Sequence, residues 1–231
     1  MRVNIENLIK RYNNRVVLDI ERLDIEEGKV YAVLGLNGSG KSTLLECIAG
    51  LIDYDEGKIL YNGREGIENS RKAISMMVQK PYLFDKSVMD NIISGLKFRN
   101  ENKKMMDKRF YEYLSFFSID HLLYKNAKKL SGGEGAKTAL LRTAVIETEL
   151  TLLDEPTASM DMESTLQAER LIKSMAGGKR SVVIVTHDIF QAKRLADDVI
   201  FLDRGKIIEM GSAYKVFSCP KSSALRKIMN L

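Results

Sequence analysis

The sequence predicts an α/β fold with a mostly parallel sheet, because short β-rich runs alternate along the chain with helical patterns. The runs at 150–154 and 181–186 are almost continuously apolar, which is typical of strands that are covered on both faces. Two further runs, at 29–34 and 74–79, have the same β-rich character. Helical patterns follow three of these four predicted strands, at residues 41–49, 161–175 and 189–196.

Two segments depart from this alternation. The N-terminal segment, which includes VVLDIERLDIEEG, has the pattern of an antiparallel hairpin. From 81 to 141 the chain is helical and poor in β-rich runs, with an amphipathic helix predicted at 105–117. We therefore expect one domain, with an α/β core and an antiparallel subdomain in 1–80 and 142–231 and an inserted helical subdomain in 81–141. From residue 212 onward the pattern predicts two short terminal helices.

The composition disfavours several classes of protein. Hydrophobic residues make up 45% and charged residues 29% of the chain, a balance typical of globular rather than disordered proteins. No apolar run approaches the roughly 18 residues that span a bilayer, and no signal segment opens the chain, so we expect it to stay in the cytoplasm unless a partner holds it at a membrane. Cys47 and Cys219 lack a metal-binding spacing. A net charge of +5 is too weak a bias to indicate nucleic-acid binding.

The glycine-rich stretch GLNGSGKST follows the first predicted parallel strand and opens a helix. Its glycines let backbone N–H groups turn inward around phosphate groups, and the helix N-terminus adds partial positive charge. Lys41 supplies a full positive charge, and the hydroxyl of Ser42 suits Mg²⁺. A simple glycine-rich turn would give no reason for a lysine at this point. The stretch predicts binding of a nucleoside triphosphate by Gly35, Leu36, Asn37, Gly38, Ser39, Gly40, Lys41, Ser42 and Thr43.

Two acids, Asp154 and Glu155, stand at the end of the buried strand LTLLD. Asp154 is placed to reach the Mg²⁺ shell, and Glu155 to polarise the attacking water, which is most of what phosphoryl transfer to water requires. Alone, the pair fits a charged turn equally well. His187 follows the next long strand, and ligand sites of α/β folds lie at such strand ends. Together with the phosphate-binding stretch, these residues predict hydrolysis of the γ-phosphate.

The stretch KKLSGGEGAKTALLR predicts a helix with an unusually specific start. Ser131 occupies the N-cap position and is followed by Gly132 and Gly133. A capped helix explains the serine but not the double glycine, which weakens a helix. Backbone N–H groups at a helix start also bind anions, and glycines permit close approach. The start carries no nucleophile, base or metal cluster of its own, so we expect a bare anion site.

Taken in order, GLNGSGKST, VQKPYLF, LSGGE, LLDEP and VTHD resemble the motifs of the ATP-binding subunit of ABC transporters, over essentially the whole chain. The resemblance implies a P-loop NTPase with a RecA-like core, an N-terminal antiparallel β-subdomain and an inserted helical subdomain. It also implies that two ATP molecules with Mg²⁺ are held head to tail between two such chains. The Ser131 helix start would then bind the γ-phosphate of the ATP in the partner's P-loop.

The same resemblance implies further roles, residue by residue. Tyr12 would stack on adenine, although a strand-edge tyrosine explains it nearly as well. Gln79 would contact both Mg²⁺ and the attacking water, and Asp161 would belong to a loop that crosses the dimer interface. His187 would contact the γ-phosphate. The implied catalytic set is Glu155, His187 and Gln79, the implied metal set is Ser42, Gln79 and Asp154, and the signature set is Ser131, Gly132, Gly133 and Glu134.

One departure from the family pattern bears on function. Glu134 stands where a glutamine is common. An extra carboxylate beside the partner's nucleotide would weaken ATP-driven closure. Alternatively it is harmless, since acids are favoured at helix N-termini.

The resemblance also implies partners. Separate transmembrane permease subunits would dock near Gln79 and the stretch KPYLFDKSVMDNI, placing the chain on the cytoplasmic face of the membrane. Exposed apolar side chains in this stretch fit a helix-in-groove contact, although ordinary packing explains part of the set, which is Tyr82, Leu83, Phe84, Val88 and Met89. The stretch is similar to that of oxyanion importers for tungstate, molybdate or phosphate, which use an extracytoplasmic solute-binding protein.

Two other functions remain as alternatives. An ABC ATPase of DNA repair or translation would carry a coiled-coil insertion or a second fused ATPase domain, for which 231 residues without heptads leave little room. A P-loop kinase or GTPase would have no reason for LSGGE, and the guanine-binding Asn-Lys-x-Asp pattern is absent from the sequence.

Overall fold

A computed structural model describes residues 1–229 as two β-sheets with helices packed against them. The strands of this described part are β1 Val3–Tyr12, β2 Arg15–Ile25, β3 Val30–Leu34, β4 Glu56–Tyr61, β5 Arg64–Glu65, β6 Ile74–Met77, β7 Leu150–Asp154, β8 Ser181–Val185, β9 Asp198–Asp203 and β10 Lys206–Ser212. The helices are α1 Lys41–Ile48, α2 Val88–Ile92, α3 Ser94–Phe98, α4 Lys103–Leu114, α5 Gly132–Ala144, α6 Met162–Met175, α7 Ile189–Leu195, α8 Ala213–Ser218 and α9 Ser223–Ile228.

The larger sheet confirms the predicted α/β fold. Its strand order is β10-β9-β3-β8-β7-β6, and every neighbouring pair is parallel except β9 and β10. All residues of β7 and β8 are buried, as their continuous apolar runs predict. Since β7, β8 and β3 are adjacent, the segments that leave their carboxyl ends start from one edge of the sheet. This is where α/β folds place their ligand sites.

The smaller sheet is antiparallel, in the order β2-β1-β4-β5, as the N-terminal pattern predicts. Its central hairpin turns at Asn13 and Asn14, whose φ angles of 48° and 64° are those that a tight hairpin turn requires. Alternate residues of β1 and β2 are buried, among them Ile5 and Leu18, and they share one apolar cluster with Leu44 of α1. The antiparallel sheet is therefore packed against the start of the nucleotide-binding region.

Helices α2 to α5 form the strand-poor part of the chain. The predicted helix at 105–117 is α4, which begins two residues earlier and ends at Leu114. We keep 81–141 as a proposed helical subdomain, with α5 continuing to Ala144. The buried face of α5 includes Ala136 and Leu140, and it packs against α2, α6 and β6. The helix therefore connects the helical region to the edge of the parallel sheet.

The stretch 80–92 is less exposed than the sequence suggests. Val88 and Leu83 are buried in the core, and Met89 is partly buried against it. Only Tyr82 and Phe84 of the predicted set are exposed, by 67% and 36%. The prediction of exposure was wrong for Leu83 and Val88, because they lie on the inner side of α2 and of the loop before it. A short irregular stretch has too little periodicity to show which side chains face inward.

The C-terminal pattern is confirmed by α8 and α9. Across residues 1–229, none of the helices has both the length and the apolar character needed to cross a lipid bilayer.

Candidate nucleotide-binding site

The loop between β3 and α1 follows a path that two of its glycines make possible. Gly35 has a φ of +152°, and a Cβ there would lie 2.1 Å from the carbonyl oxygen of Leu202. Gly40, the N-cap of α1, has a left-handed φ of +101°, and its Cβ would lie 2.7 Å from a methyl carbon of Leu18. Only glycine fits at either point without moving its neighbours. The loop therefore passes close to β9 and to the antiparallel sheet before α1 begins.

Lys41 is the first residue of α1, and its side chain reaches back to this loop. Its Nζ donates to the carbonyl oxygens of Gly35 at 2.9 Å and Leu36 at 3.0 Å. Burial lowers the pKa of this ammonium group, while the charges of Glu155 and Asp154 oppose the shift. The lysine is thus a largely desolvated cation, tied to the loop and close to the two predicted acids.

The cavity beside Lys41 has a volume of about 540 Å³, within the range of roughly 300–1,000 Å³ usual for small-molecule sites. An adjoining cavity of about 440 Å³ extends along Leu36. Ser39 of the predicted set is buried and is not among the residues that line either cavity. The larger cavity is lined by Val17, Asn37, Gly38, Gly40, Lys41, Ser42, Thr43, Gln79, Glu155 and His187.

Asp154, the last residue of β7, is buried, and its Oδ1 has no hydrogen-bond partner among residues 1–229. Burial raises the pKa of this carboxyl group, and a hydrogen bond from Ser42 opposes the shift. A buried carboxylate oxygen without a partner is costly unless a ligand satisfies it. Two other residues of the predicted metal set, Ser42 and Gln79, line the cavity beside Lys41, and carboxylate, hydroxyl and amide oxygens are the donors that Mg²⁺ prefers.

Glu155 lies beside both of the other predicted catalytic residues, Gln79 and His187. Its Oε2 accepts a hydrogen bond from Nε2 of Gln79 at 2.9 Å, and its Oε1 lies 3.6 Å from Nδ1 of His187. Its φ of +47° is unusual for a residue other than glycine, and such backbone strain, of order 1–3 kcal/mol, is concentrated at functional sites. The backbone N–H of Glu155 donates to Val185 of the neighbouring strand at 3.0 Å. Pairing of β7 with β8 therefore holds the carboxylate in position.

The start of α5 differs from the bare anion site that the sequence suggests. Glu134 folds back over it, and its Oε2 accepts from the backbone N–H of Ser131 at 2.7 Å and from the Ser131 hydroxyl at 2.9 Å. These two hydrogen bonds lower the pKa of Glu134. Lys125 lies 3.8 Å from the same oxygen. The helix start is a capping box, in which the Glu134 carboxylate is hydrogen-bonded to Ser131.

The structure also gives a steric reason for the double glycine, and the sequence alone does not reveal it. A Cβ on Gly133 would lie 3.0 Å from the carbonyl oxygen of Ser159, and one on Gly132 would lie 3.6 Å from the Ser159 side chain. The glycines let α5 approach the loop after Glu155. Gly132 lines a neighbouring cavity of about 400 Å³ that shares Gln79 and Glu155 with the cavity beside Lys41, but none of the four signature residues lines the cavity beside Lys41 itself.

Two other predicted nucleotide-binding residues, Asp161 and Tyr12, contact residues of their own chain. Asp161 is the N-cap of α6, and its Oδ1 accepts from the backbone N–H of Ser164 at 2.7 Å, which lowers its pKa. Tyr12, at the end of β1, is 46% exposed, and Lys10 lies 5.1 Å from its ring centre. Val17 of β2, rather than Tyr12, is among the residues that line the cavity. Nothing local in the sequence marks Val17, because its contact with the loop depends on how the two sheets pack.

Known proteins resemble this chain in both sequence and fold. A family model described as ABC transporter matches residues 18–158. The chain is 40% identical over 211 residues to a tungstate uptake system ATP-binding protein of Peptoclostridium acidaminophilum, covering 90% of this chain and 98% of that one. It is 34% identical to a molybdate/tungstate import ATP-binding protein of Pyrococcus horikoshii, over 98% of this chain and 67% of that one.

A solved structure described as the ATP-binding subunit of an ABC transporter has the same fold, with a TM-score of 0.86 at 21% identity and coverage of 100% of this chain and 98% of that one. The fold, the phosphate-binding loop and the acids beside it therefore agree with the family match in sequence. The chain belongs to the ABC transporter family, of which it forms the ATP-binding and ATP-hydrolysing part.

Proposed function

We propose that two copies of this chain bind two ATP molecules head to tail, and that closing and reopening of this dimer powers a transporter. The observation that carries the proposal is the position of the α5 start. It is exposed, and its residues do not line the cavity beside Lys41 in their own chain. An anion site whose residues do not line the nucleotide cavity of their own chain is explained if it binds the nucleotide of a second copy. Asp161, also exposed, would cross the same interface.

The residues around Glu155 support a direct hydrolytic mechanism. Mg²⁺, when bound by Ser42, Asp154 and Gln79, would neutralise charge on the phosphate oxygens. Lys41 would add the second positive charge. Glu155 would accept a proton from the attacking water and Gln79 would hold both the carboxylate and that water. His187, which lies beside Oε1 of Glu155, would contact the γ-phosphate and lose that contact once the phosphate leaves.

We further propose that the transporter imports an oxyanion such as tungstate. This rests on the relatives named above for tungstate and molybdate uptake. The chain would work with separate permease subunits on the cytoplasmic face of the membrane, and an extracytoplasmic binding protein would deliver the oxyanion to them.

The cargo can be tested in proteoliposomes that contain this chain and its permease subunits. With the matching binding protein and tungstate on the outer side, ATP hydrolysis is expected to rise several-fold over the rate without the anion. Molybdate and phosphate, tested in parallel, define the selectivity. Stimulation by an amino acid with no response to any oxyanion would contradict the proposed cargo but not the proposed ATPase mechanism.

Tyr12→Ala is expected to weaken ATP binding by roughly five- to 150-fold, because base stacking on an aromatic ring contributes about 1–3 kcal/mol. Affinity for inorganic triphosphate should not change, since it has no base to stack. Calorimetric titration with each ligand measures the difference. Tyr214→Ala, which removes an 82% exposed tyrosine on α8, is the matched control. Equal losses for both ligands would mean that Tyr12 acts through the fold rather than through adenine.

Glu134→Gln is expected to strengthen the ATP-dependent dimer by about two- to fivefold, because it removes a negative charge that would repel the phosphates of the partner's ATP, and charge effects at a helix start are about 0.3–1 kcal/mol. Glutamine keeps the capping box, so the helix should not change. Sedimentation with Mg-ATP in a hydrolysis-deficient background gives the dimer affinity. Glu112→Gln, an exposed acid on α4, controls for net charge. A weaker dimer in Glu134→Gln would show that the carboxylate supports closure instead.

A further inference from the structure

Gln191, on α7, is a buried residue whose polar side chain lies outside the nucleotide cavity. It is not among the residues that line the cavity beside Lys41. Its Nε2 donates to the hydroxyl oxygen of Thr157 at 2.9 Å and to Oε1 of Glu169 at 3.5 Å. Its Oε1 is buried and has no hydrogen-bond partner among residues 1–229. The amide therefore uses its donor group and leaves its acceptor unsatisfied.

Stability alone does not favour this arrangement. A buried amide oxygen without a partner is destabilising, and a leucine would fill a similar space without one. The amide cannot be turned round, because its oxygen would then lie against the buried carboxylate of Glu169, which Arg194 holds with hydrogen bonds of 2.8 and 2.6 Å. Such departures from optimal packing are expected where function requires a particular contact. Here the contact is the hydrogen bond to Thr157.

This hydrogen bond joins the two segments that carry Glu155 and His187. Thr157 lies two residues after Glu155, in the loop that leads to α6. Helix α7 begins two residues after His187, and its N-cap, Asp188, accepts from the backbone N–H of Gln191 at 3.1 Å. The Gln191 side chain makes the only side-chain hydrogen bond between α7 and the loop at 156–160 in the described part of the chain.

The ring of His187 depends on these segments for its position. Its side chain is 65% exposed, and its Nδ1 lies 3.6 Å from Oε1 of Glu155, which is longer than a hydrogen bond. The ring is therefore placed by the backbone on either side of it, with β8 before it and α7 after it. A contact that fixes α7 to the loop after Glu155 also fixes the distance between the two side chains.

We propose that Gln191 is a positioning residue for ATP hydrolysis, and that its bridge to Thr157 holds His187 beside Glu155 while both act at the γ-phosphate. The proposal rests on the hydrolytic mechanism proposed above. Without the bridge, α7 is free to shift relative to the loop, and His187 shifts with it. A misplacement of about 1 Å lowers the rate of a reaction by up to about 10². Nucleotide affinity should not change, because Gln191 does not line the cavity.

Steady-state kinetics test the bridge. Gln191→Leu is expected to lower kcat by about 10- to 100-fold and to leave KM for Mg-ATP within about twofold of its original value. Thr157→Val, which removes the other end of the bridge with little change of shape, should have the same effect. The two changes together should lower kcat no further than either alone, because both remove one contact. Gln167→Leu makes the same chemical change at a half-buried position of α6, and should leave kcat unchanged.

Nuclear magnetic resonance follows the ring itself, without nucleotide. The chain has two histidines, so the imidazole signals of His187 are identified by their loss in His187→Gln. In the original chain Glu155→Gln is expected to shift these signals, because it removes a carboxylate 3.6 Å from Nδ1. In the Gln191→Leu chain the same change should shift them by less than about half as much, since the ring is no longer held beside residue 155.

The outcomes separate the positioning role from the mechanism on which it rests. A kcat of Gln191→Leu within about twofold of the original, or an undiminished response of the His187 signals, overturns the positioning role and leaves the mechanism standing. So does a further loss of kcat when Thr157→Val is added. If Gln191→Leu does not fold, Thr157→Val decides by the same two measurements. If Glu155→Gln in the original chain retains hydrolysis, the mechanism fails, and the role of Gln191 fails with it.

Discussion

Glu155→Gln is expected to lower the rate of ATP hydrolysis by about 10²- to 10⁴-fold, the usual contribution of a general base, while leaving ATP affinity within a few-fold of its original value. Glutamine has nearly the same shape as glutamate but cannot accept a proton from water. The binding groups are separate from this side chain, since Lys41 is held by the loop carbonyls of Gly35 and Leu36. Phosphate release under single-turnover conditions measures the rate, and titration of Mg-ATP measures the affinity.

The control for this change is Glu149→Gln. Glu149 immediately precedes β7, and its side chain is exposed near the amino terminus, so the same chemical change occurs at the opposite end of the strand that carries Asp154. It is expected to leave hydrolysis unchanged. If Glu155→Gln retained hydrolysis within about tenfold of the original rate, Glu155 would not be the general base, and its contacts with Gln79 and His187 would be structural.

The phosphate-binding loop is predictable from the sequence because its requirements are local. A strand, a loop with glycine at Gly35 and Gly40, and a lysine at the first helical position are consecutive in the chain, and each has a direct physical reason. The acids at Asp154 and Glu155 are predictable for a related reason, because the period of the strand and its apolar character identify where it ends.

Contacts between distant segments are not predictable in this way. Val17 lines the nucleotide cavity because the antiparallel sheet packs over α1, and Gly133 faces the Ser159 carbonyl because α5 crosses the loop after β7. Glu134 was recognised as unusual from the family pattern, yet its fold back onto Ser131 depends on side-chain geometry.

These contacts also change what the double glycine indicates. The sequence suggests that it has no structural purpose, and so favours a ligand of a second chain. Gly133 has a steric requirement of its own, so its identity no longer distinguishes the two explanations. The composite site is therefore supported by the exposure of Ser131 and Gly132 and by their absence from the lining of the Lys41 cavity. It needs a test that does not depend on the glycines.

Ser131→Arg provides that test, since it is expected to abolish the ATP-dependent dimer of the Glu155→Gln protein without weakening ATP binding by the monomer. Arginine is too large to lie between the α5 start and a γ-phosphate, and it removes the hydroxyl that caps the helix. Loss of the cap costs about 1 kcal/mol of folding stability, which is small beside the stability of a domain. Light scattering with and without Mg-ATP gives the oligomeric state, and thermal unfolding confirms that the variant is folded.

Ser222→Arg is the matched control, because Ser222 caps α9 in the same way, accepting from the backbone N–H of Leu225 at 3.0 Å. It should lose a similar amount of stability and still dimerise with Mg-ATP. A dimer that persists in Ser131→Arg would place the partner contact elsewhere. If Glu155→Gln alone binds ATP but stays monomeric, self-pairing of this chain is ruled out, and a different ATP-binding chain held by the permease would have to supply the second half of the site. A dimer that forms with Glu155→Gln and Ser222→Arg but not with Ser131→Arg would establish that the γ-phosphate is bound by the α5 start of a second copy.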